Sequence, residues 1–398
     1  MVGGAVSAHS LIVITTPEDT VHIQTAAVQT LRDHEHGAVV PPVHLASTYE
    51  LDPRTDDGLY AYQRGGNPTR AQLERVLAEL DGAAHGFAFA TGMAATGAVF
   101  STLEVGSEVI LPASVYGGTF RFVDKIFPTR GLTGRYVDDL GALTDEDFTE
   151  ATRMVFVETP ANPTLRVTDL RRIVELAHRH GAIVAVDNTF MTPVLQRPLE
   201  LGADVVVQSA TKYLAGHSDL LAGTVTTDDP QLAEAYALSQ KAEGGVLAPL
   251  DAFRLIQAIK TLPLRLERQQ DNAAQIAAFL REREDVTVVH TPGSFSEEEA
   301  RLHAAQAEGP GAVLSFELAP DLDRVAFLQA LRYPAYAVSL GGVESLICRP
   351  ATMTHEAMTP QARATAGISD ELLRLSVGIE HIDDLLADLE QALAAAAR

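Results

Sequence analysis

The chain has 398 residues, 46% of them hydrophobic and 21% charged, which is an ordinary globular balance. Its 30 basic against 53 acidic side chains leave a net charge of −23, so a general nucleic-acid binder and an anionic-membrane binder are both disfavoured, because each needs a dense Lys/Arg face. A single cysteine, Cys348, excludes an internal disulfide framework and a Cys-rich metal site, and fits a reducing compartment.

In chain order, Met1 to Thr16 is mildly apolar without a basic n-region, and reads as a loose arm rather than a signal peptide. No run approaches the roughly 18 apolar residues of a membrane span, so a soluble cytoplasmic protein is expected. The first predicted helix covers 69–80, with Leu73, Val76, Leu77 and Leu80 on one face, Thr69 as cap and Gly82 as stop. Strands then alternate with helices. The predicted strands are Gly86–Ala90, Glu108–Leu111, Met154–Val157, Ala182–Val186 and Ala203–Val207. The predicted helices are Ala94–Leu103, Tyr116–Phe127, Asp169–His180 and Pro193–Leu201. Runs such as Ile183-Val184-Ala185-Val186 are apolar on both faces, the pattern of a parallel strand covered on both sides. The alternation predicts an α/β fold with a mostly parallel, doubly wound sheet, whose ligands collect at the carboxyl ends of the strands.

Beyond residue 262 the character changes. Pro263–Glu284 reads as one long helix with Leu264, Leu266, Ile276, Phe279 and Leu280 inward. Strands are predicted at Val286–His290, Ala312–Leu318, Tyr336–Leu340 and Leu372–Val377, and a last amphipathic helix at His381–Ala396. This is a smaller α/β unit.

Four strand ends carry chemistry-bearing residues. Thr91-Gly92-Met93 opens a helix, where free backbone N–H groups can cradle a phosphate. Glu158-Thr159-Pro160-Ala161-Asn162-Pro163 is a stiff loop that offers the Asn162 amide. Asp187 ends a buried strand, where an acid is costly without a partner. Ser209-Ala210-Thr211-Lys212 ends the next strand, and burial lowers a lysine's pKa, as imine chemistry requires. Lys212 follows Asp187 by 25 residues, one strand-helix-strand unit. Together they read as a pyridoxal phosphate site: lysine for the imine, acid for the ring nitrogen, hydroxyls and amides for the phosphate.

Three longer motifs carry a resemblance. They are Tyr62-Gln63-Arg64-Gly65-Gly66-Asn67-Pro68-Thr69, the run from Ser209 to Asp219, and Ser339-Leu340-Gly341-Gly342-Val343-Glu344-Ser345-Leu346. With them the chain resembles the Cys/Met-metabolism pyridoxal-phosphate enzymes of trans-sulfuration, such as cystathionine γ-synthase and cystathionine γ-lyase. The resemblance implies a fold type I PLP-dependent transferase-like α/β architecture. It implies an arm over 1–64 that reaches a neighbouring subunit, a large cofactor domain over 65–261 and a small C-terminal domain over 262–398. It also implies a homotetramer built as a dimer of dimers.

The resemblance further implies roles. Lys212 is similar to the imine lysine and proton shuttle, and Tyr116 to the ring-stacking tyrosine that joins acid-base steps. Asp187 resembles the ring-nitrogen partner. Gly92, Met93, Ser209 and Thr211 resemble phosphate ligands, joined by Tyr62 and Arg64 from a neighbouring subunit. Arg374, Asn162 and Ser339 resemble substrate-side residues, with Arg374 forking the α-carboxylate, and Glu344 is a candidate for a distal polar group. The implied activity is γ-elimination or γ-replacement on an L-amino acid through an α-carbanion and a vinylglycine-like intermediate. Cystathionine β-lyase, methionine γ-lyase, O-acylhomoserine sulfhydrylase and a γ-lyase for an uncharged substituent such as a halide are its alternatives. Ala61 lacks the acid that several cystathionine-handling members carry there, and Gly118 stands where methionine γ-lyases tend to carry cysteine.

Two readings from other classes compete. Ser209-Ala210-Thr211-Lys212 matches the S-x-x-K nucleophile motif of serine hydrolases, but the S-D-N and K-T-G companions are missing. His34, His36, His178 and His180 could suggest a metal site, although each i, i+2 pair faces two ways on a helix. No metal is expected.

Overall fold

The computed structural model describes residues 21–29, 37–356 and 358–397. The arm read at Met1–Thr16 and the histidines at 34 and 36 lie outside the described residues.

Apolar strands that are covered on both faces build the larger sheet. It contains β1 (His85–Phe89), β2 (Glu108–Pro112), β3 (Thr133–Val137), β4 (Thr152–Glu158), β5 (Ile183–Asp187), β6 (Val205–Gln208) and β7 (Gly223–Thr227). Their spatial order is β1-β7-β6-β5-β4-β2-β3. Every pairing from β6 outward to β3 is parallel, while β7 runs antiparallel to both its neighbours. The two-residue period of a strand sends alternate side chains to opposite layers. In β4, Met154 and Phe156 join one core with Phe100 and Val207, whereas Val155 and Val157 join another with Ile173 and Val184.

The second sheet holds β8 (Val286–His290), β9 (Val313–Leu318), β10 (Ala335–Tyr336), β11 (Leu346–Cys348) and β12 (Leu373–Ser376), in the order β10-β11-β12-β9-β8. The helix Leu262–Arg281 packs between the two units, and one apolar cluster runs from Leu73 and Leu214 through Leu266 to Leu314 and Leu389.

Several expectations need correction. Asn67, not Thr69, caps the helix Pro68–Asp81, because its carbonyl oxygen accepts from both the Thr69 and Arg70 amides. Gly82 does end that helix, in the left-handed region at φ 68°. Pro193–Leu201 is not one helix but a single turn, Thr192–Leu195, followed by a 3-10 turn, Pro198–Leu201. Leu264 points to solvent at 68% exposure, because the inward face of its helix is phased through Leu262, Leu266 and Ile276. The strand expected over Tyr336–Leu340 is reduced to two residues, and the rest is loop.

Asp81, at the end of its helix, is buried and accepts hydrogen bonds from Thr226 Oγ1 (2.9 Å) and Gln208 Nε2 (3.3 Å). Burial nevertheless pushes its carboxyl up to about 7. The folded chain then keeps a proton that the unfolded chain loses near pH 4, so stability falls as pH rises from about 4 to 7 and stays lower above that. Asp81→Asn should therefore raise the melting temperature, and by more at pH 8 than at pH 5. An equal gain at both pH values would remove this account.

Candidate functional site

The carboxyl ends of the parallel strands open into a cavity of about 350 Å³. Gly92, Met93, Asn162, Asp187, Ser209, Thr211 and Lys212, from the four strand ends, line it together with Tyr116, Ser339 and Arg374, which the resemblance had named.

At one end is an anion cradle. The helix Gly92–Phe100 starts there, and Thr91 Oγ1 accepts the Ala94 amide at 3.0 Å. The Gly92 and Met93 amides fall in the first turn, where a helix supplies no internal acceptor. A Cβ on Gly92 would sit 2.8 Å from Ser209 Cβ, so only glycine lets the two strand ends close to this distance. Thr211 Oγ1 accepts the Ala222 amide at 3.0 Å.

In the middle, Asp187 ends β5 beside Glu158, which ends β4 in direct register. Asp187 Oδ1 accepts from the Thr189 amide at 3.0 Å and from Thr189 Oγ1 at 2.5 Å, and Thr189 Oγ1 in turn accepts the Ser209 amide at 2.8 Å. Glu158 accepts the Tyr116 amide at 2.9 Å with one oxygen and the Asn162 amide at 3.0 Å with the other. Burial and the neighbouring Asp187 charge push the Glu158 carboxyl up, and burial raises Asp187 against its Thr189 hydrogen bonds and the Lys212 charge.

At the far side, Lys212 Nζ donates to Ser339 Oγ at 3.0 Å. Arg374 donates to Asn162 Oδ1 at 2.9 Å and to the Ser339 carbonyl at 2.6 Å. Its Nε is buried without a protein partner. Burial first, and the Arg374 charge second, bring the Lys212 amine down to about 8, with Asp187 opposing. His355 is fully buried and its imidazole is pushed down to about 4, first by burial and then by Arg374, so it is neutral at pH 7.

The donor set fits pyridoxal phosphate. Two first-turn amides and two hydroxyls suit a phosphate, an acid suits a protonated ring nitrogen, and a neutralisable lysine suits an aldehyde. The cradle that a Cβ at 92 would fill and the unpartnered Arg374 Nε are observations of the same kind.

Some predicted residues lie elsewhere. Tyr62 and Arg64 do not line this cavity; Tyr62 is half exposed, with the Arg64 guanidinium 5.7 Å from its ring centre. Glu344 is also off the lining and accepts from Ser218 Oγ at 3.4 Å. The turn at Gly341, with φ 78° and its amide held by Ser376 Oγ, carries the chain away before Glu344. Sequence reasoning missed Glu158, Thr189, His355 and Arg121, the last an exposed cation on the lining. Thr189 was legible as the hydroxyl two residues past Asp187.

The competing readings fare poorly. Lys212 reaches Ser339 rather than Ser209. His178 and His180 turn to different acids, Asp204 and Asp145, each at 2.9 Å. Among the described residues no cluster of three or more His, Cys, Asp or Glu side chains is placed to hold a metal, and no helix is long and apolar enough to cross a membrane.

Comparison with known proteins agrees with this geometry. Residues 19–394 match the model of the family described as Cys/Met metabolism PLP-dependent enzyme. Cystathionine β-lyase of Lactococcus lactis subsp. cremoris is 45% identical over 363 residues, 91% of this chain and 95% of that protein. The crystal structure of cystathionine γ-lyase from Lactobacillus plantarum with L-serine superposes with a TM-score of 0.91 at 41% identity, over 94% of this chain and 99% of that one. Cystathionine γ-synthase from Xanthomonas oryzae pv. oryzae, in complex with cystathionine, gives 0.91 at 42% identity, over 95% and 99%. With the motifs, the fold and the cavity all in agreement, the chain belongs to the Cys/Met metabolism PLP-dependent enzyme family.

Proposed function

We propose that this enzyme carries out γ-elimination or γ-replacement on an L-amino acid, in the manner of cystathionine γ-lyase and γ-synthase. The observation that carries the proposal is the convergence on Ser339: Lys212 Nζ reaches its hydroxyl and Arg374 its carbonyl. A carboxylate forked by Arg374 sets the amino acid's Cα within the lysine's range. Bound pyridoxal phosphate supplies an aldehyde for the amino group and a ring that draws electron density from the attached carbon.

The chain's residues do the remainder. Lys212 takes the proton from Cα and moves protons at the carbons beyond it. Asp187 keeps a proton on the ring nitrogen, and Thr189 holds Asp187 in place. Gly92, Met93, Ser209 and Thr211 receive the phosphate, and Tyr116 supplies an aromatic wall and a second acid-base group. Asn162 and Ser339 orient the Arg374 fork. Leu221, Val338, Leu340 and Met353 give the cavity an apolar side, which favours an uncharged γ-substituent.

Tyr62 and Arg64 are exposed and lie off the lining of the cavity. This supports their donation to a neighbouring copy, hence at least a homodimer, in a tetramer built as a dimer of dimers. The arm over 1–64, the cofactor domain over 65–261 and the small domain over 262–398 complete the proposal, and the cytoplasm is its compartment.

Parallel assays of L-cystathionine, O-succinyl- and O-acetyl-L-homoserine, L-homocysteine and L-methionine should show turnover of γ-substituted substrates, with 2-oxobutanoate or a replacement product. Turnover of β-substituted substrates alone would replace this reading with cystathionine β-elimination, which the lactococcal relative favours.

A further inference from the structure

The helix Leu262–Arg281 turns a polar stripe, not only an apolar one, into the protein. Arg265, Gln269 and Asn272 stand at i, i+4 and i+7 on one face, with 5%, 0% and 1% exposure. Leu262, Leu266, Ala273 and Ile276 surround them in the same buried face. Arg265 forms no ion pair among the described residues, and burial lowers its guanidinium to about 10. An uncompensated cation is an expensive choice where a leucine or methionine would pack.

Each of the three side chains holds a loop that follows a site residue. Arg265 donates to the carbonyls of Tyr213 (2.7 Å), Leu214 (3.3 Å) and Ala258 (3.1 Å), and to Thr261 Oγ1 (3.3 Å). Tyr213 and Leu214 directly follow Lys212. The guanidinium lies so close that a Cβ on Gly216 would meet it at 2.0 Å. Gln269 Nε2 donates to the Gly342 carbonyl at 2.7 Å, three residues past Ser339. Asn272 Nδ2 donates to the carbonyls of Gly378 (3.1 Å) and Glu380 (2.9 Å), in the loop after Arg374.

The three loops are also bonded side by side. The Val343 amide donates to the Gly216 carbonyl, and the Ile379 amide to the Val343 carbonyl, both at 2.9 Å. One helix thus touches the segments that follow Lys212, Ser339 and Arg374, from both sheets.

We propose that Arg265, Gln269 and Asn272 are positioning residues that set the spacing of Lys212, Ser339 and Arg374. The proposal rests on the reading of those three as the reacting groups. A shift of about 1 Å in such a set can cost about a hundredfold in rate, which is what the buried donors guard against.

The test uses the full chain with Arg265→Met, Gln269→Met and Asn272→Ala, and with Arg265→Lys as the conservative variant. Three quantities are read: melting temperature, the division of effect between kcat and KM, and the rate at which an amine acylating reagent modifies Lys212 at pH 9.5 in cofactor-free protein. Arg265→Met should lower kcat at least tenfold, leave KM within about threefold, and change the Lys212 modification rate at least fivefold; Arg265→Lys should recover part of each. Asn272→Ala should instead raise KM at least tenfold and leave Lys212 modification unchanged. Gln269→Met should lower kcat and raise KM together.

Folded variants with parental kcat, KM and modification rate would overturn the proposal. So would losses that follow melting temperature alone. If the methionine variants do not fold, Arg265→Lys is read instead: a smaller loss of kcat with a matching change in Lys212 modification supports the proposal, and parental values of both overturn it. The underlying site reading fails separately, if Lys212→Ala in the parent chain stays active.

Discussion

Lys212→Ala should lose at least about a thousandfold in turnover with every amino-acid substrate, while the variant still folds and still takes up pyridoxal phosphate through the anion cradle. The magnitude follows from removal of a positioned proton shuttle, worth roughly 10²- to 10⁴-fold, together with the covalent attachment it provides. Borohydride treatment should fix the cofactor to the parent protein at Lys212 and to nothing in the variant. The parent's own pH behaviour gives the sign of the effect. Burial and Arg374 bring the amine down to about 8, so below that pH it is ammonium and inert, and above it a free nucleophile. Capture of the aldehyde by cofactor-free protein should accelerate as pH rises through about 8, rather than near the ordinary lysine value. Stopped-flow absorbance checks this, and an active Lys212→Ala enzyme would defeat the mechanism.

Arg374→Ala is expected to lower kcat/KM by roughly 10²- to 10³-fold. Truncating one member of a buried, charge-assisted pair costs about 2–5 kcal/mol. Here it leaves the substrate carboxylate, Asn162 Oδ1 and the Ser339 carbonyl all without their donor. Arg374→Lys should recover little, since an ammonium cannot serve two acceptors in one plane. Steady-state kinetics should place most of the loss in KM. A primary amine that lacks the carboxylate should bind parent and variant alike; if it too binds a hundredfold worse, Arg374 is holding the fold and not the substrate.

The parallel strands β2, β4, β5 and β6 were legible because a strand covered on both faces reads as a continuous apolar run, as Ile183–Val186 does, whereas the edge strand β3, which carries Gly134 and Arg135 and is only partly buried, was not. Nor was β7, since its inward residues include Thr224, Thr226 and Thr227. Their hydroxyls are satisfied inside, as with Thr226 on Asp81 and Thr227 on the Asp204 carbonyl, but in sequence they look like a polar turn. The long helix was visible, and its inward face was right at Leu266, Ile276 and Leu280 but incomplete. Counting only apolar positions placed Leu264 inside, whereas the true inward face includes Arg265, Gln269 and Asn272. Lys212 and Asp187 stood out as charges at the ends of hydrophobic runs, while Arg374, inside β12, was named only through the family resemblance. Glu158 did not, because what it binds is the backbone of Tyr116, 42 residues away, and no spacing rule reports such a contact.

Lys212 and Asp187 belong to the larger sheet, whereas Ser339 and Arg374 come from the smaller one. The proposed site is therefore assembled across the seam between the two parts of the polypeptide. Drift in the stretch between β10 and β11 can alter which leaving group is accepted without disturbing the electron-withdrawing apparatus. Relatives of nearly equal identity bear the names of three different reactions, and exchange of that short stretch would test whether the difference resides there.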